Sequence, residues 1–254
     1  MILSWYRQKV GDFGFWPATS LLRRVVWGRA VVKASNALLP KRFECPCCGW
    51  QGRRLFDYVE MGYTSRNASC PQCDSHSRHR AFFLWLRDNY QIEKATGTAL
   101  IFAPERALEP LWKMTTRLRT VKLDIEPSRG VDLIADIMQL PFTNALADFV
   151  WCHHVLDQVP DDHLALAELK RVLKSTTGEL FISVGESTLP ETREFGTSDK
   201  ALSGNRRVYG SDFSDRLRAA GFTVEALDGG LSEAERHTYA INDERFYLCR
   251  KGIA

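Results

Sequence analysis

The sequence predicts an α/β protein, in which a doubly wound, mainly parallel sheet is preceded by a small cysteine-rich module. After Gly97, short apolar runs alternate with amphipathic helical segments almost to the end of the chain. This alternation is typical of a parallel sheet with helices on both faces. Residues 43–73 instead contain few apolar runs and many Cys, Gly and Arg residues. A stretch of that composition cannot bury a core of its own and needs a metal or another staple.

The charge of the 254-residue chain is unevenly distributed. The net charge is only +3, but residues 1–94 contain 15 Lys and Arg against 7 Asp and Glu, whereas residues 95–254 contain 19 against 24. The basic front part indicates an anionic partner (nucleic acid, acidic lipid or a phosphorylated substrate) or docking on the acidic remainder. Seven cysteines, no secretory signal and no apolar run that could span a bilayer favour a cytoplasmic protein with reduced thiols.

Residues 1–40 combine aromatic, aliphatic and basic side chains, and the basic ones do not collect on one helical face. A helix of this kind either lies on a membrane surface or packs against the rest of the protein. Because the pattern is poorly amphipathic, we favour packing, with peripheral membrane contact as the alternative. Pro40 ends the segment.

Four cysteines form two C-x-x-C pairs separated by 21 residues, namely Cys45, Cys48, Cys70 and Cys73. This spacing is close to that of four-cysteine zinc ribbons, in which each pair supplies two thiolates to a tetrahedral Zn²⁺. Four sulfur ligands leave no open position, so we expect a structural metal. Cys47 is an alternative to Cys48, whereas Cys152 and Cys249 fall in predicted strands and are interpreted as core residues.

Residues 75–80 follow the second cysteine pair at the start of a predicted helix and include two histidines and two arginines. Basic residues at a helix N-terminus oppose the macrodipole, so helix stability does not explain them. We interpret them as groups that grip phosphate or carboxylate, or that contact the following domain.

Two aspartates end consecutive predicted strands, at the edge where parallel sheets bind ligands. Asp124 ends the second predicted strand after Gly97, and its carboxylate is placed to accept hydrogen bonds from both hydroxyls of a ribose. Asp136 ends the next strand, where it can accept from an exocyclic amine while Ile137 and Met138 lie against a flat adenine ring. The pair therefore predicts a pocket for an adenosine moiety.

Residues 148–162, DFVWCHHVLDQVPDD, resemble the fourth-strand region of class I S-adenosylmethionine-dependent methyltransferases, particularly the type 11 group. Residues 167–174 and 178–182 are similar to the following helix and fifth strand of that group. A narrower subset with a Cys-rich front module resembles the chain from about residue 43 to the end. The resemblance implies the seven-stranded Rossmann-like methyltransferase fold and S-adenosylmethionine as cofactor.

The resemblance also implies which residues bind the cofactor: Phe102, Ala103, Pro104, Glu105, Asp124, Ile125, Asp136, Ile137, Met138 and His153. The first loop of the superfamily is usually rich in glycine, which lets backbone approach the cofactor closely. Residues 103–106 of this chain read Ala-Pro-Glu-Arg, with no glycine and one amide donor lost at the proline. We expect Glu105 to meet the ammonium end of the cofactor.

In-line methyl transfer depends on alignment and exclusion of water, and it needs a base only when the acceptor loses a proton. His153, His154 and Asp157 follow the fourth predicted strand, beside the expected methyl position, and are the candidate catalytic residues. His153 is the better candidate base, because His154 is equally well interpreted as a packed residue. Arg207 and Tyr209 are expected on the acceptor side of the site.

We therefore expect three parts: a basic and aromatic helical segment (1–42), a zinc-ribbon-like module with a connecting helix (43–94) and a methyltransferase domain (95–254). The expected function is methyl transfer from S-adenosylmethionine to a small molecule or a glycan precursor. The alternatives are an RNA methyltransferase whose zinc module binds the nucleic acid, and a non-catalytic binding protein on a methyltransferase fold. A nicotinamide-linked dehydrogenase is disfavoured, because no Gly-x-Gly-x-x-Gly follows the first strand.

Overall fold

The computed structural model describes residues 2–127, 130–199 and 204–252. The chain divides into two compact units. The first comprises the residues up to 85 together with residues 231–244, and the second comprises residues 86–230 and those from 245 onward. This grouping differs from the expected boundary at 94/95, because a segment close to the C-terminus belongs with the N-terminal unit.

The α-helices are, in chain order, α1 (Ile2–Phe13), α2 (Phe15–Leu38), α3 (Ser77–Leu84), α4 (Glu109–Met114), α5 (Asp162–Val172), α6 (Phe213–Ala219) and α7 (Glu233–Tyr239). The strands are β1 (Phe43–Glu44), β2 (Gln51–Gly52), β3 (Phe56–Glu60), β4 (Tyr63–Ser69), β5 (Gly97–Phe102), β6 (Leu118–Asp124), β7 (Leu133–Ile134), β8 (Phe149–His153), β9 (Glu179–Ser183), β10 (Arg193–Asp199), β11 (Asn205–Val208), β12 (Phe222–Leu227) and β13 (Phe246–Lys251).

Within the first unit, helix α1 packs on α2, and α2 packs on strand β3. Gly14, with φ of +86°, separates α1 from α2. Helix α2 buries Ala18, Leu21 and Val32 along one side. Near its end, the Asn36 side chain donates to the carbonyl of residue 54 (3.0 Å) and accepts from the amide of the same residue (2.8 Å). The segment is therefore anchored through one face of α2.

A buried arginine explains why residues 231–244 belong to the first unit. The Arg80 guanidinium donates to the carbonyls of Tyr239 and Ala240, each at 2.7 Å, and to those of Ser75 (2.5 Å) and Ala68 (3.3 Å). Burial lowers the pKa of Arg80, and the carbonyl oxygens compensate by accepting its hydrogen bonds. The interpretation of this residue as a grip for phosphate or carboxylate is therefore wrong, because its donors bind the protein's own backbone.

The second unit is built on a seven-stranded sheet with the order β12-β13-β9-β8-β5-β6-β7. Neighbouring strands are parallel except for β13, which is antiparallel to β9 and β12. This confirms the predicted mainly parallel α/β fold. The chain passes outward from β5 to β7 and then returns to β8 beside β5, so the strand order reverses between β5 and β8. In such sheets a crevice for ligands opens at the carboxyl ends beside the reversal.

Alternating side chains of β8 reach both faces of the sheet, which is why its sequence is continuously apolar. On one face, the ring of Phe149 packs against Phe181 (centroids 5.1 Å apart) and Trp112 of α4 (6.1 Å). On the other, Val150 and Cys152 join the core formed with α5 and α6. Burial raises the pKa of Cys152, which keeps this thiol neutral and agrees with its interpretation as a core residue.

The β10–β11 hairpin, the hairpins of the cysteine-rich part and helix α7 are elements that the sequence did not predict. Strand β10 has the sequence REFGTSD, with a glycine and several polar residues. Such a strand shows little alternation of apolar and polar residues, because it pairs with a single partner.

Candidate active site and cysteine cluster

The carboxyl ends of β5, β6, β7 and β8 surround a cavity of about 300 Å³. Its lining combines apolar side chains with carboxylates and one histidine. The lining residues are Phe102, Ala103, Leu123, Asp124, Ile125, Glu126, Ala135, Asp136, Ile137, Met138, His154, Val155, Gln158, Val159 and Pro160. Seven of the ten residues expected at the cofactor are in this set, and Pro104, Glu105 and His153 are outside it.

The glycine-free loop after β5 adopts a backbone conformation that favours glycine. Ala103 has φ of +46°, and its amide donates to the carbonyl of Leu123 at 2.8 Å. A residue with a Cβ in this left-handed region costs about 1–2 kcal/mol. The chain therefore forms a tight turn at the cavity wall without glycine, at the cost of local strain.

Asp124 and Asp136 lie at adjacent strand ends and both line the cavity. Each carboxylate uses Oδ1 to accept a backbone amide two residues later: Asp124 from Glu126 at 3.1 Å, and Asp136 from Met138 at 2.8 Å. These turns fix the orientation of both side chains. Ile137 directly follows Asp136 and is buried, so the carboxyl end of β7 offers an apolar surface next to a carboxylate.

An ion pair on α5 holds the loop that carries Asp136. The Glu168 carboxylate accepts from the Leu140 amide at 2.7 Å, and Arg171 donates to Glu168 (2.6 Å) and to the carbonyls of Leu140 (3.0 Å) and Phe142 (2.7 Å). The Arg171 guanidinium lowers the pKa of Glu168. Sequence reasoning missed both as site residues, because they act on backbone almost 30 positions earlier.

The two histidines after β8 have different surroundings. His153 is buried, its Nδ1 lies within hydrogen-bonding distance of Ser183 Oγ, and its Nε2 is 3.4 Å from Glu105 Oε2. His154 lines the cavity, has φ of +49°, and places Nδ1 3.4 Å from Asp157 Oδ2. The cavity-facing position thus belongs to His154, whereas we expected His153 to be the better candidate base.

Asp157 is 1% exposed, and its carboxylate lies beside the ring of His154. Its Oδ1 accepts from the Gly185 amide at 3.1 Å, and its Oδ2 faces His154. A buried carboxylate held in this way orients an imidazole. The structure therefore fixes the direction of the His154 ring at the cavity wall.

The loop after β8 is held by Arg207, which is 3% exposed. Its guanidinium donates to the carbonyls of Leu156 (2.6 Å), Val159 (2.8 Å) and Pro160 (3.2 Å). Tyr209 is also buried, and neither side chain lines the cavity. The expectation that these two residues form the acceptor side is wrong, because both point into the protein and fix the loop instead.

In the first unit, the four expected cysteines lie together at the ends of the β1–β2 turn and strand β4. The Sγ atoms of Cys45 and Cys73 are 3.6 Å apart and those of Cys48 and Cys70 are 3.7 Å apart, and all four lie within 4.8 Å of one another. Cys47 is outside this group, and its thiol donates to the carbonyl of His79 at 3.8 Å.

Residues 106–182 match the family described as Methyltransferase domain. The fold is similar to that of a solved chain from the complex between the Haloferax volcanii Trm112 methyltransferase activator and a methyltransferase. The two chains are 18% identical, and the alignment covers 68% of this chain and 91% of the solved one, with a TM-score of 0.50. At that identity the likeness concerns the fold alone, and it agrees with the mainly parallel seven-stranded sheet of the second unit.

Curated relatives match less than half of the chain. Malonyl-[acyl-carrier protein] O-methyltransferase of Laribacter hongkongensis is 34% identical over 95 residues, which are 37% of this chain and 32% of the relative. The protein of the same name from Nitrosospira multiformis is 30% identical over 120 residues, 47% of this chain and 38% of the relative. The chain therefore spans about a third of these relatives' length.

Proposed function

We propose that this protein is an S-adenosylmethionine-dependent methyltransferase whose cofactor binds in the cavity at the carboxyl ends of β5–β8. The observation that carries the proposal is the pair of oriented carboxylates, Asp124 and Asp136, at adjacent strand ends of one cavity. Asp124 binds the ribose hydroxyls, and Asp136 binds the exocyclic amine of the adenine. The bound cofactor supplies an electrophilic methyl group on a sulfonium.

The cavity fits an adenosine moiety in size and in chemistry. A volume of about 300 Å³ lies at the lower end of small-molecule sites. Phe102, Ile137 and Met138 provide apolar surface for the flat ring between the two carboxylates. This combination of an apolar slot and hydrogen-bond acceptors matches a nucleoside with two hydroxyls and one amine.

Calorimetric titration with S-adenosylmethionine and with S-adenosylhomocysteine tests cofactor binding. Asp124→Ala is expected to weaken both affinities by about 1–3 kcal/mol, because it removes the acceptor for the buried ribose hydroxyls. Asp215→Ala is the matched control, since Asp215 lies on the surface of α6 and pairs with Arg218. Failure of the unaltered protein to bind either compound, or equal affinity in the Asp124→Ala variant, would refute the assignment.

For the acceptor we propose the hydroxyl group of a small molecule or glycan precursor, with His154 as the group that takes up its proton. The support is the position of His154 on the cavity wall and its pairing with buried Asp157. The names of the curated relatives add support for an oxygen acceptor. Transfer to a carboxylate, as those names describe, would need no base.

Methyl-labelled S-adenosylmethionine, incubated with the protein and a cell extract, tests the acceptor. We expect label in the low-mass fraction, and a loss of about 10²–10⁴-fold in rate for His154→Ala with unchanged cofactor affinity. Label in ribonuclease-sensitive material would instead establish an RNA methyltransferase. Cofactor binding without transfer to any fraction would indicate a non-catalytic protein, and an unaffected rate in His154→Ala would point to a carboxylate acceptor.

We further propose that the four clustered cysteines hold a structural Zn²⁺. A tetrahedral site with Zn–S distances of about 2.3 Å has sulfur atoms about 3.8 Å apart, close to the measured 3.6 and 3.7 Å. The ion would link the turn after β1 to the end of β4. Elemental analysis of the purified protein is expected to find one zinc per chain, and a metal-free folded protein would refute this part.

A further inference from the structure

Helix α2 presents a second apolar stripe on the side opposite its packed face. Starting from Trp16, the positions 20, 23, 27, 31, 34 and 38 recur every three or four residues and so lie on one side of the helix. The large apolar members are strongly exposed: Trp16 is 79% exposed, Trp27 73% and Leu38 81%. Ala18, Leu21 and Val32 are buried on the other side, so α2 has two apolar faces. Among the residues that the structure describes, only the face with Ala18, Leu21 and Val32 is covered.

The charge around this stripe favours an anionic partner. Residues 1–42 contain eight Lys and Arg and a single acidic residue, Asp12, a net charge of +7. Arg23 lies within the exposed stripe, and Arg24 is exposed at its edge. Long basic side chains can extend past apolar neighbours to reach phosphate groups while their stems stay in apolar surroundings.

The length and composition of α2 suit a helix that lies in the plane of a membrane surface. Its 24 residues correspond to about 36 Å. Within the described part of the chain, no helix is both long and apolar enough to cross a bilayer. Two tryptophans on the exposed stripe are the residue type that concentrates at the boundary between lipid and water.

We propose that the exposed stripe of α2 docks this protein on the surface of an anionic lipid membrane. Trp16, Trp27 and Leu38 enter the boundary between headgroups and acyl chains, and the flanking basic residues contact lipid phosphates. The opposite face of α2 stays packed on the rest of its unit. The enzyme would thus work beside a membrane, where it can reach acceptors that are themselves bound to lipid.

Flotation of the full-length, zinc-loaded protein with vesicles tests the docking. We expect binding to phosphatidylcholine vesicles with about one third phosphatidylglycerol, weaker binding to phosphatidylcholine alone, and release at high salt. The triple variant Trp16→Gln, Trp27→Gln and Leu38→Gln is expected to lower vesicle binding by about tenfold or more. Leu164→Gln is the matched control, because Leu164 is an exposed apolar residue (54%) of α5.

Several results would overturn the proposal. One is that the unaltered protein does not float with anionic vesicles, and another is that the triple variant floats as well as the Leu164→Gln control. A concentration-dependent dimer that the triple variant abolishes, without flotation, would assign the stripe to a second copy of the chain. Circular dichroism and zinc content of the variant distinguish loss of docking from loss of folding. The double variant Arg23→Gln and Arg24→Gln provides an independent test of the electrostatic part. Unchanged salt sensitivity in that double variant would also contradict it.

Discussion

Replacement of Arg207 by methionine should strongly destabilise the second unit. The guanidinium is buried and satisfies three carbonyls of the loop after β8, at 2.6, 2.8 and 3.2 Å. Methionine fills part of the same volume but donates no hydrogen bond. The three carbonyls lose their guanidinium donor, and Leu156 keeps only a long hydrogen bond from the Tyr209 hydroxyl (3.4 Å). At about 1 kcal/mol for each carbonyl, we expect a loss of about 3 kcal/mol.

The ion pair of Arg207 with Glu194 adds little to this value. Glu194 is 47% exposed, and such pairs contribute less than about 1 kcal/mol. Asp162 is 3.9 Å from the Arg207 Nε, but Asp162 also binds Arg216 at 3.2 Å and so remains paired in the variant. The three carbonyls therefore dominate the expected effect.

Calorimetric melting and titration with S-adenosylhomocysteine measure the result. For a unit of this size, about 3 kcal/mol corresponds to a decrease in Tm of about 6–12 °C. Cofactor affinity should fall as well, because the held loop supplies Gln158, Val159 and Pro160 to the cavity wall. Arg206→Met is the matched control, since its guanidinium makes one long hydrogen bond to the Gly196 carbonyl (3.4 Å). A loss below about 1 kcal/mol, or an equal loss in the control, would refute the reasoning.

Three further predictions concern the pKa of a carboxyl, a strained turn and the cysteine cluster. Glu168→Gln should lower stability near pH 7 by about 1 kcal/mol after solvent screening. Because the folded pKa of Glu168 is depressed, this difference should disappear as the pH falls from about 4.3 through the folded pKa, which denaturation at several pH values measures. Ala103→Val should weaken cofactor binding by about 1 kcal/mol or more, because a β-branched residue disfavours a φ of +46°. Ala103→Gly should bind S-adenosylhomocysteine as the unaltered protein does in the calorimetric titration. Equal affinities of the two variants would contradict the role of this turn. Cys70→Ser should abolish zinc retention and lower the Tm of the first unit, whereas Cys47→Ser should retain the metal in elemental analysis. Equal zinc content in the two variants would contradict the proposed ligand set.

The α/β class was predictable because the strands and helices near the cavity have recognisable local patterns of apolar residues in the sequence. The buried strands β5, β8 and β9 are continuous apolar runs, and α5 repeats its apolar residues every three or four positions. The strand-end aspartates were found for the same reason, since an acidic residue directly after an apolar run is visible in the sequence. The Cys45–Cys48 and Cys70–Cys73 spacing was equally local.

The exposed stripe of α2 shows how a local pattern can be misleading. When a helix carries apolar residues on two opposite faces, no single face is more apolar than the rest. The sequence of α2 therefore favoured a helix that packs against the rest of the protein. Only the fold shows that Leu21 is buried while Trp16 and Trp27 are exposed. Burial on one face depends on which element lies against it, and the helix sequence does not contain that information.

The sequence by itself determined the α/β fold class, the two Cys-x-x-Cys pairs and the carboxylates at the strand ends, because each depends on residues that are near one another in the chain. The tertiary structure alone decided that Arg80 binds the carbonyls of residues 239 and 240, that Arg207 fixes the loop after β8, and that His154 reaches the cavity. These features depend on backbone carbonyls and cavity walls that are distant in sequence. A backbone carbonyl is the same group in every residue, so no sequence pattern marks which arginine will bind it, and only the folded arrangement selects the partner.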